Sequence, residues 1–362
     1  YFVRIKERTP DGRLVITNPP EPGQKKSVKQ VEVAVEPDLV YPLVRGRDVK
    51  KWFVGFEDRY IILPHDPKTA KPLSEITIKT KFPNTYDYFN HFKKELEKRS
   101  IHKLWGKNNP FYTVYDIGEY TFAPYKVVWK TIAGAITGKA VSFACAVVTP
   151  INGEPVIVDH STILINTNDI NEAYYLAGFL NSLLSRTIIA SYSYELRQET
   201  HIADFIKIPK FDPQNEAHNK IAELSKRAHE LVSIKHSKPP AAELYNYIDK
   251  ELERVEREID LAVAELFGLS EEDLREFEKL MAILTGKEPQ EESEEVKPVG
   301  EPIITLSNTL LQPNTPAQIE IDVTNPQGTI LEISYEFPWG SGTFKMVEGK
   351  HVIQTPPLKP GK

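Results

Sequence analysis

Two heptad seams constrain this chain more than any other feature. Ala217, Ile221, Leu224, Ala228 and Leu231 recur at spacings of 4, 3, 4 and 3, and Ile248, Leu252, Val255, Ile259, Ala262 and Leu266 at 4, 3, 4, 3 and 4. Such spacing gathers apolar side chains into one stripe along a helix, and the stripe must be buried against a matching one. The connector KHSKPP is short, so the helices at about 213–235 and 241–267 are expected to fold back as an antiparallel hairpin. Asp212 and Pro213 supply a cap and a first-turn residue, and Gly268 ends the second helix. Ser270 with Asp273 offers a capping box to a third helix, SEEDLREFEKLMAIL.

Before this hairpin the pattern changes. RLVIT, VEVAV, RYIIL, EITIK, YKVVWKTIA, KAVSFACAVV, PVIV and STILI are rich in β-branched and aromatic residues and bounded by Gly, Pro or Asn, which predicts short strands. One helix is expected over 84–99, with Tyr88, Phe92 and Leu96 at helical spacing. A second, over 170–190, carries a wide apolar face and is expected to be buried scaffold. Residues 286–301, GKEPQEESEEVKPVGE, read as a linker. Residues 302–362 alternate as strands with Asn, Pro and Gly turns, enough for part of an antiparallel β-sandwich. The fold class is α+β: a mixed β-rich domain with helices, a helical hairpin and a partial, immunoglobulin-like β-sandwich.

At 362 residues there is room for two or three domains. No stretch approaches the roughly 20 apolar residues of a membrane span, and a cytoplasmic location is expected. The single cysteine, Cys145, allows no internal disulfide and no Cys-rich zinc site, and its apolar neighbours mark it as a core residue. Scarce Met and Cys with abundant Glu and Lys suit a thermophilic source. The net charge of −6 hides an asymmetry. Residues 1–140 hold 25 Lys and Arg against 16 Asp and Glu, residues 141–210 hold 4 against 7, and the remainder 16 against 28. Only the first part has the sign of a polyanion binder.

No catalytic constellation assembles from the sequence. The nine histidines are scattered without an H-E-x-x-H, and neither G-x-S-x-G nor a phosphate-binding G-x-x-x-x-G-K-[ST] occurs. His218 and His229, eleven apart on one helix, read as solvated. IAGAITG at 132–138 lacks the helix that a glycine-rich cofactor loop requires and reads as a hairpin, so no cofactor site is expected within the chain. What remains is cations interleaved with aromatics. LVRGRDVKKWF places Arg45, Arg47, Lys50 and Lys51 beside Trp52 and Phe53, and FAPYKVVWKTIAG places Lys126 and Lys130 beside Tyr125 and Trp129. On a strand Lys126 and Lys130 share one face and Val127 and Trp129 the other, so an exposed cationic face over an apolar floor is expected. Arg45, Arg47, Lys50, Lys51, Tyr125, Lys126, Trp129 and Lys130 are therefore the candidate contacts to DNA phosphates and base edges.

VITNPPEPG, residues 15–23, resembles the N-P-P-[YFW] loop of adenine-N6 DNA methyltransferases. Glu21 stands where the stacking aromatic belongs, and Pro22 and Gly23 continue as a turn, so the stretch reads as a hairpin. A wider resemblance runs through GRDVKKW, PYKVVWKTI, YYLAGFLNS and IPKF leading into a helix. In that order, over residues 40–235, they resemble the C-terminal target-recognition region of type IIG restriction-modification enzymes and related adenine-N6 methyltransferases, the TaqI-like specificity domain. ELFGLSEEDLREF is similar to that family's C-terminal end. The resemblance implies that residues 1–210 recognise a double-stranded DNA target and 211–285 form a helical spacer. It also implies an upstream methyltransferase domain of the same gene that uses S-adenosylmethionine, in a restriction-modification or phage-defence setting. The acidic helical hairpin and the β-sandwich depart from the family pattern. Two rivals stay open: a protein-interaction scaffold, which the placement of the basic charge would discriminate, and a standalone nuclease, for which Glu75 with ITIK is the nearest sequence.

Overall fold

The computed structural model describes residues 2–20, 28–105, 108–131, 143–192, 206–237 and 242–285, and the strands between 303 and 354. The fold is α+β. Residues 1–289 and 290–362 form two compact units.

In chain order the first unit comprises β1 (Phe2–Arg8), β2 (Leu14–Thr17), β3 (Glu32–Val35), β4 (Val40–Val44), β5 (Val49–Lys50), β6 (Phe53–Val54) and β7 (Tyr60–Ile62). Short helices α1 (Glu75–Lys81), α2 (Pro83–Asn90), α3 (Lys93–Glu97), α4 (Ser100–Trp105) and α5 (Glu119–Phe122) follow. Next come β8 (Tyr125–Lys130), β9 (Cys145–Val148), β10 (Ile157–Val158) and β11 (Thr162–Thr167). The long helices are α6 (Ile170–Asn181), α7 (Leu183–Tyr192), α8 (Glu216–Ser237), α9 (Ala242–Leu266) and α10 (Glu271–Thr285).

A six-stranded sheet has the order β10-β4-β7-β1-β2-β3, in which only β10 and β4 run parallel. One of its faces packs Val3, Ile16, Val35 and Ile62 against Ile78, Tyr88, Phe89 and Phe92 of α1, α2 and the residue before α3. The other carries Tyr41, Leu43, Ile61 and Ile157. A three-stranded antiparallel sheet, β11-β8-β9, presents Val127, Trp129 and Cys145 to α6, α8 and α9 in the largest core cluster. That cluster runs from Trp52 to Val263, so the boundary expected at residue 210 passes through one continuous core.

The heptad helices pack as the seams require. Ile221, Ala228 and Leu231 of α8 are buried with Ile248, Val255, Ile259 and Ala262 of α9. Lys235 pairs with Asp249 at 2.6 Å while Arg227 reaches Glu251, so the helices run antiparallel. Gly268, at φ +66°, takes the left-handed conformation that ends α9. Ser270 N donates to Asp273 at 2.7 Å and Asp273 N to Ser270 Oγ at 3.2 Å, forming the expected capping box of α10. Beside the N-P-P stretch Asn18 accepts from Val31 N and donates to Lys29 O at the end of the antiparallel β2–β3 pair, while the turn read at Pro22 and Gly23 lies outside the described residues.

Three expectations are corrected. EITIK is helical in α1, because the Ser74 hydroxyl accepts from Thr77 N and caps a first turn that alternation alone does not reveal. The helix expected over 84–99 breaks at His91–Phe92, where Phe92 leaves helical geometry. That over 170–190 breaks at Ser182, whose ψ of 155° ends α6 while its hydroxyl donates to Phe179 O and accepts from Ser185 N. The hairpin read at 132–138 and the linker at 286–301 lie outside the described residues.

The second unit contains β12 (Ile303–Ser307), β13 (Gln318–Thr324), β14 (Leu331–Phe337), β15 (Gly340–Met346) and β16 (Gly349–Gln354). They form an antiparallel β12-β13-β16 sheet and a β14-β15 pair, in keeping with part of a sandwich. Among the described residues no helix is long and apolar enough to cross a membrane.

Replacing Ile259, 1% exposed, by Asp places a carboxylate in the α8–α9 seam, which costs several kcal/mol. The melting temperature of Ile259→Asp is expected to fall by about 10 °C or more; an unchanged value would show the seam is not buried.

Candidate nucleic-acid interface

The G-R-D segment sits between the two sheets. Its tight turn, residues 46–48, is closed by Asp48, whose Oδ2 accepts from Arg45 N at 2.8 Å and from buried Arg59 at 3.1 Å. Gly46 N donates to Ser161 Oγ at 2.8 Å, and a Cβ on Gly46 would stand 2.3 Å from Ser161 O, so a side chain has no room there. Arg45 Nε reaches Asp159 Oδ2 at 2.8 Å and its guanidinium lies 5.7 Å from the Phe2 ring centre. Arg45 thus ties the first sheet to the β10–β11 loop.

The next residues split by direction. Val49 and Trp52 are buried, while Arg47 and Lys50 are exposed. Trp52, held at φ +63°, donates its backbone N–H to Cys145 O at 3.2 Å and its indole N–H to Glu256 at 2.5 Å. Lys51 pairs with the same Glu256 at 2.8 Å, over the Trp52 ring. Burial and the nearby Arg186 charge lower the Lys51 pKa, against the pull of Glu256. Lys51 and Trp52 are thus engaged in joining the β5–β6 hairpin to α9.

The second cluster differs from expectation. The cross-strand register does put Lys126, Val128 and Lys130 on one face of β8, opposite Asn166, Leu164 and Thr162. That face, however, meets the first sheet: Val128 and Leu164 pack with Val44, Val49 and Val156. Lys126 is fully buried, its ammonium donating to Ala123 O at 2.5 Å, and burial lowers its pKa to about 8. It is not an exposed cation. Trp129 is buried in the core and Tyr125 packs against it, so neither offers a free ring. Lys130 is partly exposed at the end of the strand.

His218 and His229 are not solvated either. His229 Nδ1–H donates to Ser225 O at 2.7 Å, Nε2 accepts from Val147 N at 2.9 Å, and burial lowers the pKa to about 4. His218 is 5% exposed and accepts from Asp212 N.

One contact was missed by sequence reasoning because KHSKPP reads only as a connector. The ring of His236, at the end of α8, stacks on Phe53 with centroids 4.2 Å apart. Burial and the charges of Lys50 and Lys235 hold its pKa below the usual histidine value. Lys50 and Lys235, the latter paired with Asp249, thus lie close enough to the His236 ring to favour its neutral form. Among the described residues no cluster of three His, Cys, Asp or Glu is arranged to hold a metal. Glu75 pairs with Lys79 at 2.7 Å on exposed α1.

No family model matches the chain, and no curated protein does. Among solved structures it is similar to the type IIL restriction-modification enzyme MmeI in complex with DNA, at 13% identity and a TM-score of 0.42, over 64% of this chain and 28% of that one. The chain therefore spans little more than a quarter of that protein's length.

Lys126→Met tests the inter-sheet assignment. A buried lysine with a lowered pKa destabilises the fold below about pH 8, and the penalty fades as pH rises from 8 towards 10.5. The variant is expected to equal or exceed wild type in stability at pH 7, by up to about 3 kcal/mol, and to lose that advantage by about pH 10 in chemical denaturation.

Proposed function

We propose that residues 1–285 form a DNA target-recognition module whose phosphate-contacting surface includes Arg47 and Lys50, with Lys235 and His236 beside them. The observation that carries this reading is the split of the G-R-D-V-K-K-W segment: Gly46, Asp48, Val49 and Trp52 point inward, whereas Arg47 and Lys50 point out. A balance of +9 over residues 1–140 supports it, since phosphate contacts draw on exposed Lys and Arg. The motif order described above supports a setting in a restriction-modification or phage-defence protein. An upstream adenine-N6 methyltransferase domain using S-adenosylmethionine belongs to the same proposal, and Lys130 stays within it as a partly exposed contact. A protein-assembly role has one observation in its favour, the exposed Ile234, Leu244, Tyr245 and Tyr247 at the linked ends of α8 and α9.

Fluorescence anisotropy on mixed-sequence duplexes across a salt series decides between them. Each neutralised phosphate contributes about 0.9 to the slope of log K against log salt, so Arg47→Ala with Lys50→Ala is expected to lower the slope by about 2. Duplex binding that is absent, or the same slope and affinity in wild type and variant, would reject this surface.

A further inference from the structure

Beside the Gly46–Ser161 junction lies a cleft of about 540 Å³ that the DNA reading above does not use. Its floor is the uncovered part of the first sheet's second face, at Leu43, Ile61 and Ile157, and β11 and the segment 114–121 form its walls. The volume falls in the range of small-ligand sites. Asp116, His160 and Asn166 stand at its exposed margin. Asp116 sits at φ +62°, a conformation side-chain-bearing residues rarely adopt, fixed by the Tyr120 hydroxyl, which donates to both its carbonyl and its Oδ1.

The chemistry of the lining narrows the ligand. Neither Lys nor Arg lines the cleft among the described residues, while Asp116 and Asp159 do. A phosphate is therefore disfavoured inside. Asp159 has both oxygens occupied, by Arg45 and by Ser161, whereas Asp116 keeps an oxygen that Tyr120 does not take. The site offers an apolar bed, the rings of Phe2, Tyr115 and Tyr120, and at its exposed margin a carboxylate acceptor and an amide that can accept and donate. A flat heterocycle with an exocyclic amine meets all of these terms. Across the strands the partly exposed Lys130 pairs with Thr162 and the buried Lys126 with Asn166, and both of those partners line the cleft.

We propose that this cleft binds a single unpaired nucleobase bearing an exocyclic amine, adenine, cytosine or guanine, with Asp116 and Asn166 reading its hydrogen-bonding edge and the partly exposed Lys130, across the strands from Thr162, available to the adjoining phosphate. The choice of a nucleobase over other amino-bearing heterocycles rests on the DNA-recognition reading. A base enters only out of the helical stack, and stacking on aromatic rings offsets the cost of extrusion.

Binding of free adenosine, cytidine, guanosine, uridine and thymidine to the whole chain is measured by calorimetry, with duplex binding followed separately by anisotropy. At least one of adenosine, cytidine and guanosine is expected to bind at least tenfold more tightly than uridine and thymidine. Asn166→Ala and Asp116→Asn, an exposed change and one that keeps a residue tolerant of positive φ, are each expected to abolish that preference without shifting the melting temperature. No saturable binding of any nucleoside up to about 10 mM, equal affinity for all five, or unchanged affinity in both variants would overturn the proposal. Nucleoside binding without duplex binding would sustain the cleft and reject the recognition module; duplex binding without nucleoside binding would do the reverse.

Discussion

The fold of the first unit depends on how one strand edge is sealed. β9 lies at the border of the three-stranded sheet, yet it is buried beneath helices, where an unpaired backbone group costs about 1–3 kcal/mol. Three separate elements satisfy it. The Asn181 side chain, at the end of α6, accepts from Cys145 N at 3.0 Å and donates to Cys145 O at 2.9 Å, acting as a short piece of strand. His229 of α8 accepts from Val147 N, and the backbone of Trp52 in the β5–β6 hairpin donates to Cys145 O. The break at Ser182 belongs to the same arrangement, because α7 restarts with Leu183 N donating to Asp260 of α9 at 2.6 Å. Burial raises the Asp260 pKa to about 6 in spite of that bond and of Lys51. Hairpin, helices and sheet are thereby held as one body across long stretches of chain.

Four separated sequence segments meet at this edge. GRDVKKW contributes Trp52 to the seal, YYLAGFLNS contributes Asn181 and the Ser182 break, and the helix after IPKF carries His218 and His229. PYKVVWKTI supplies the strand on which β9 pairs. The residues that make those segments recognisable are mostly inward: Gly46, Asp48, Trp52, Lys126, Trp129 and Asn181. They define an architecture, and the exposed side chains between them define what the surface can touch.

The heptad seams, the capping box and seven of the eight expected strands were legible because each rests on local spacing or local hydrogen bonding. The caps and breaks at Ser74 and Ser182 were not, since a hydroxyl redirects the chain without altering the apolar pattern around it. The candidate site was legible only in part. Period-two alternation correctly grouped Lys126 with Lys130, but alternation states which residues share a face and never what covers that face. Here the first sheet covers it at Val44 and Val156, so the ammonium of Lys126 lies in the interior and that of Lys130 at its margin. His229 was misread for the same reason: nothing local to α8 signals that a strand edge waits for an acceptor.

Positions that close the β9 edge or the Gly46–Ser161 junction are coupled: a change at Asn181 strands two groups of Cys145, and a side chain on Gly46 collides with backbone. Their substitution costs fold stability, whatever the ligand. Arg47, Lys50, His160 and Asn166 are exposed, so their substitution changes little buried area. The inward and outward residues are adjacent in sequence, at 46–52 on one segment and 159–166 on the other, so the junction that Gly46 and Ser161 close also sets the spacing of the exposed positions beside it.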